Sequence, residues 1–145
     1  MREIKFRAWE ECRRRMHYNA VVGGGNIVFF YTKAINQDYD EDDEPYYYES
    51  EDTFYGYGLG SGKIRVMQYT GMKDQTGREI YEGDIIVFLE AESGETWTAK
   101  IVFENLAFKA LDVEDEGYEY DFDDLSDIEV VGNIYENPEL LKDIK

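Results

Sequence analysis

The sequence predicts a mainly β protein, with a meander at its N-terminus, a small barrel in its C-terminal part and a short helix at its end. Three observations carry this. Short runs of alternating apolar and polar residues recur along the chain, and residues 64–135 hold about five of them. Glycine, Asp, Asn and Ser mark the boundaries between runs. Near the end, Asn137-Pro138-Glu139 reads as a helix start, with Asn as the cap and Pro at the first helical position.

The elements follow in order. Ile4, Phe6 and Ala8 alternate with Lys5, Arg7 and Trp9, the period of a half-buried strand. Residues 10–13 form the expected turn, 15–22 the returning strand, and Gly23-Gly24-Gly25-Asn26 a second turn before the β-rich run IVFFYT at 27–32. Residues 37–52 (QDYDEDDEPYYYESED) mix acids with tyrosines, and Gly56, Gly58, Gly60 and Gly62 follow; this segment is expected as an exposed, partly mobile loop. KIRVMQY at 63–69 begins the barrel, so the expected division is 1–62 and 63–145. Strands are then expected at 85–89, 96–103, 106–113 and 128–135, and this count fits an SH3-like or an OB-like barrel. Trp9, Trp97, Phe103 and Phe108 are read as core residues. Leu140, Leu141 and Ile144 give the final helix its apolar side.

The stretch YTGMKDQTGREIYEGDIIVF at 69–88 spaces Gly71, Gly77 and Gly83 six apart. A phosphate-binding loop would need GxxxxGK[ST] entering a helix, whereas Gly77 leads into a strand and Asp74, Glu79, Glu82 and Asp84 would repel a phosphate. Gly71, Asp74, Gly77, Gly83 and Asp84 are therefore read as turn residues: Asp caps its own backbone and Gly accepts positive φ.

The chain has 145 residues and a formal charge of −18, which is unevenly spread. Nine acids and no base lie in 36–62, and ten acids and no base in 112–129; the other 14 acids face all 15 bases. Such a field repels polyanions, so direct binding to nucleic acid is not expected. No apolar run is long enough for a membrane span, and Lys5 and Arg7 interrupt any signal-peptide core. With Cys12 as the one cysteine, no intrachain disulfide can form, and a cytoplasmic protein is expected.

Catalytic patterns are thin. Cys12 and His17 lack a third member, no GxSxG elbow exists, and structural zinc lacks ligands. Residues 112–123 (DVEDEGYEYDFD) approach a calcium loop, but the flanks read as strand and the last ligand is Asp123 where that loop uses Glu. An acidic hairpin or loop is expected there. No cofactor is called for.

MREIKFRAW at the start, VMQYTGMKDQTGREIYEGDII in the middle and IEVVGNIYENPELL near the end together resemble the YopX family of phage and prophage proteins. The resemblance covers both ends and the barrel region and leaves the two acidic segments aside. It implies an SH3-like β-barrel in the C-terminal part and an accessory protein of a phage or prophage in a bacterial cell. It implies no activity and no catalytic residues.

The function expected is a non-catalytic interaction module for a host or phage protein with a basic surface. Its expected surface is Tyr46, Tyr47, Tyr48, Glu49, Glu51, Asp52, Tyr55 and Tyr57, since tyrosine offers large contact area at low entropy cost and acids select basic partners. The alternative is an acidic DNA mimic that occupies a nucleic-acid-binding or defence protein. A metal-dependent hydrolase ranks last, because acids are too abundant for any pair to stand out. Self-association is left open.

Overall fold

In the computed structural model, residues 3–11, 14–23, 27–39, 45–58, 64–115 and 117–141 are described; for 19, 21–23, 27–39 and 45–58 the description is of the backbone. The chain forms a mainly β fold that divides into two compact units, Phe6–Val66 in one and Met1–Lys5 with Met67–Lys145 in the other.

The first unit is antiparallel throughout, from β1 (Phe6–Glu10) through β2 (Arg15–Gly23) and β3 (Ile27–Tyr39) to β4 (Pro45–Gly58). These strands lie in the order β4-β3-β2-β1, and residues 64–66, which open β5 (Ile64–Lys73), belong to the same unit. Ala8, Ala20 and Ile64 are its buried apolar centre, with Phe6 and Val66 against them. Glu10, expected in a turn, is instead the last residue of β1 and is buried. His17 explains why it can be: its Nε2 lies 2.9 Å from Glu10 Oε2, a partner that a buried carboxylate requires. Cys12 lies outside the described residues.

The acidic, tyrosine-rich segment is not a loop where it is described. Residues 37–39 end β3, residues 45–52 begin β4, and the two strands pair from Tyr39↔Pro45 to Phe30↔Phe54 without interruption. The tyrosines and Thr53 are residues that favour extended backbone, in keeping with this continuous register.

In the second unit, β5 continues from Met67 and pairs with β6 (Glu79–Tyr81). A five-stranded antiparallel sheet follows, in the order β10-β9-β8-β7-β11, from β7 (Asp84–Glu90), β8 (Thr96–Glu104), β9 (Ala107–Asp112), β10 (Glu119–Tyr120) and β11 (Leu125–Asn133). It is curled like half a barrel. Ile80, Ile86, Phe88, Ala99, Ile101, Ala110, Tyr120, Ile128 and Val130 form its core. The alternation along β8 places Ala99 and Ile101 there, but Phe103, expected in the core, is 43% exposed near the far end of the strand, its ring 4.9 Å from that of Phe108 across the hairpin. The expected C-terminal helix is, among the described residues, a single 3-10 turn over Pro138–Leu141. Asn137 contributes there to a local knot: its Oδ1 accepts from Asn133 N–H at 3.2 Å, while Asn133 Oδ1 accepts from Tyr135 and Glu136 N–H.

Gly77 and Gly83 sit at corners of this unit, whereas Gly71, expected in a turn, lies inside β5 where its register with β6 shifts. Gly71, Gly77 and Gly83 have φ of +89°, +89° and +86°, values open to glycine and strained for other residues. Asp74 is buried, and its side chain holds its own turn. Oδ1 accepts from Thr76 N–H (2.9 Å), Thr76 Oγ1 (2.7 Å) and Arg78 N–H (2.9 Å). Oδ2 reaches across to β11, accepting from Val130 N–H at 3.0 Å, and next to it Gln75 N–H donates to Ile128 O at 2.9 Å. One turn thus covers the outer edge of β11. Asp84, fully buried, accepts from Tyr81 N–H at 2.8 Å and closes the corner around Gly83.

Candidate functional site: an acid-lined aromatic cleft

The second acidic run folds into the β9–β10 connection through its own side chains. Asp112 Oδ1 accepts from Glu114 N–H (2.7 Å) and Asp115 N–H (2.8 Å), the local turn that Asp favours. Asp115 Oδ1 accepts from Gly117 N–H, Tyr118 N–H donates to Asp115 O, and Asp112 N–H donates to Tyr118 O at 2.9 Å, where β10 begins. The carboxylates of Glu114 and Asp115 are left exposed at the rim.

Beside this turn lies a cleft of about 280 Å³ lined by Glu90, Trp97, Asp112, Glu114, Asp115, Tyr118 and Tyr120. Its wall is an aromatic ladder that climbs out of the core. Phe88 is buried, Tyr120 sits edge-on to it at 4.8 Å, and Tyr118, half exposed, sits edge-on to Tyr120 at 4.8 Å. Tyr120 donates its hydroxyl hydrogen to Asp112 Oδ2 at 2.6 Å. Burial raises the Tyr120 pKa, and the hydrogen bond and charge of Asp112 raise it further, so the phenol stays a donor. Asp112 is thereby occupied structurally, while Glu90, Glu114 and Asp115 supply the negative field. Among the described residues no Lys or Arg lines the cleft.

Trp97 forms a wall shared with a neighbouring hollow lined by Thr96, Thr98, Asp112 and Glu114. Its Nε1–H is buried without a hydrogen-bond partner, a condition that costs about 1–3 kcal/mol. On the other side of Tyr120 a second cleft of about 320 Å³ is lined by Phe108, Lys109, Glu119, Tyr120, Asp121 and Phe122. Carboxylates around exposed aromatic rings suit a cationic guest, which gains both charge attraction and contact with the ring faces. Among the described residues no group of three or more His, Cys, Asp or Glu side chains is placed to hold a metal.

The residues expected to form the interaction surface lie elsewhere. Tyr46, Tyr47, Tyr48, Glu49, Glu51, Asp52, Tyr55 and Tyr57 are all on β4 of the first unit, whose described features are its backbone and register. The sequence did not mark Glu90, Trp97, Tyr118 and Tyr120 as site residues, and Trp97 was expected only in the core. The signal was present in GYEY at 117–120, where two tyrosines alternate inside an acidic run.

An all-β chain in two units, with a curled five-stranded sheet and the Asp74 corner motif, is the class these observations define. The chain belongs to the YopX protein family, whose model matches residues 5–142. It is similar in structure to protein EF1440 from Enterococcus faecalis, with a TM-score of 0.61 at 22% identity over 97% of this chain and 99% of that one. It is also similar to protein yopX from Bacillus subtilis, with a TM-score of 0.55 at 17% identity over 97% of this chain and 98% of that one. These likenesses speak to fold. No curated protein matches the chain.

Proposed function

We propose that this protein is a non-catalytic interaction module of a phage or prophage, built on an SH3-type barrel and acting in the bacterial cytoplasm on a host or phage protein with a basic surface. The observation that carries the reading is the cleft bounded by Glu90, Asp115 and the half-exposed Tyr118, with no base among the described residues of its lining. A lysine or arginine side chain fits such a site: its charge meets carboxylates at the rim and its stem or guanidinium plane lies on the tyrosine ring. Contacts with exposed rings contribute about 0.5–1 kcal/mol each, so recognition needs several of them together.

The test is selection of a random dodecapeptide library on the wild-type protein and on Tyr118→Ala and Glu90→Gln. Wild type is expected to enrich Arg- or Lys-containing sequences, with both variants losing most of that enrichment. Equal enrichment of neutral or acidic sequences, or none, would remove the cationic partner from the account.

A further inference from the structure

We infer that the partner binds as an extended chain adding a strand to the open edge of β10, with a cationic side chain in the cleft beside it. The inference rests on the reading of the cleft given above and names how the partner is held.

The two edges of the five-stranded sheet are treated differently. At β11, the Asp74 carboxylate takes Val130 N–H and Gln75 N–H takes Ile128 O, so that edge is capped by the protein's own turn. At the other end of the order stands β10. Because Asp112 N–H donates to Tyr118 O, and antiparallel hydrogen bonding alternates residue by residue, Tyr118 and Tyr120 direct their main-chain groups toward β9. Glu119, between them, directs its N–H and C=O away from the sheet. Among the described residues nothing hydrogen-bonds to the main chain of Glu119, and an edge with such outward groups is a template for strand addition.

The side chains around this edge set what the added strand should carry. The acid-lined cleft and the Phe108–Phe122 cleft both include Tyr120, so they adjoin along the same strand. Side chains two apart on an extended chain lie about 7 Å from each other on one face. A basic residue facing Glu90, Asp115 and Tyr118 therefore puts the residue two places away at the second cleft, where Phe108 and Phe122 favour an apolar or β-branched group. In that second cleft Lys109 and Glu119 already pair with each other at 3.0 Å. β10 has only two residues, so main-chain pairing is confined to Glu119 and the side chains supply most of the selectivity.

The probe is a capped hexapeptide, Thr-Val-Arg-Val-Thr-Val, compared with versions N-methylated at single residues. With Arg directed into the cleft, the main-chain N–H groups of the two flanking valines point toward β10. N-methylation of the valine that faces Glu119 should weaken binding roughly three- to tenfold, the effect of one lost hydrogen bond, while N-methylation of Arg should leave it unchanged. The Glu119 amide should also exchange more slowly with solvent when the parent peptide is bound. If every methylated peptide binds as the parent does, and Tyr118→Ala still weakens them all, strand addition is wrong while the cationic cleft stands. If the parent peptide does not bind wild type, the cleft reading and the strand fall together.

Discussion

At the scale of single residues, Asp74 does the most connecting. Burial alone would raise its pKa, but donors from Val130 N, Thr76 Oγ1, Arg78 N and Thr76 N outweigh that and hold it at about 2. A carboxylate whose folded pKa lies below its unfolded value adds stability above the unfolded pKa, near 3.8, and that stability is lost as pH falls through about 2. Asp74→Asn keeps one acceptor oxygen and sets an NH₂ against main-chain donors, so it should destabilise by about 2–4 kcal/mol at neutral pH. Melting curves of both proteins between pH 5 and pH 2 should show the gap closing as the acid end is approached; a gap constant over that range would mean the charge is not what matters. Trp97→Phe offers a contrast. It removes a buried N–H without a partner at the cost of the smaller half of a partly buried indole, so the two effects oppose and chemical denaturation should show it close to wild type in stability.

At the scale of elements, turns are where local chemistry decides. The β8–β9 hairpin turns through Asn105 and Leu106 with φ of +51° and +67°, as a two-residue type I′ loop requires. Asn suits that conformation and Leu does not; Leu106 is also 93% exposed, so it recovers little by packing. Leu106→Gly should therefore raise stability by about 1 kcal/mol, read as a higher melting temperature. Gly83→Ala should act the other way, since φ is +86° and an added Cβ would stand 3.1 Å from Met67 Sδ; a loss of about 1–2 kcal/mol is expected in the same assay. Such corners were legible in the sequence because Asp, Asn and Gly act within a few residues of themselves. The strands from β7 to β9 were legible for a related reason: the alternation of Trp97, Ala99 and Ile101 follows the period of a pleated face. The β3–β4 hairpin was not legible. Its acids read as a solvated loop by composition, while its backbone pairing depends on partners from six to 31 residues away, which composition does not register. β10 escaped for its size, since two residues carry no period.

At the scale of the whole molecule, charge and fold separate into distinct roles. No described helix is long and apolar enough to cross a membrane. Of the two acidic runs, the described part of one lies in the paired strands β3 and β4 of the first unit, and the other contributes Asp112, Glu114 and Asp115 to a cleft in the second. The cleft was invisible in sequence because it joins Glu90, Trp97 and Tyr118 from separate strands and a turn, and only strand order brings them together. The proposed function assigns partner selection to this second acidic run. An ion-pair contribution of that kind weakens as salt screens it, whereas contact between rings and an aliphatic stem persists.

The most direct measurement uses the two tryptophans as reporters. Titration with the capped Thr-Val-Arg-Val-Thr-Val peptide should be followed at the two indole N–H resonances and at the amides of Tyr118 and Tyr120. The account predicts saturable shifts of Trp97, Tyr118 and Tyr120, smaller at high salt, with Trp9 of the first unit unmoved. Shifts confined to Trp9, or no shift at Trp97 while the peptide binds, would place recognition away from the cleft and contradict its central claim.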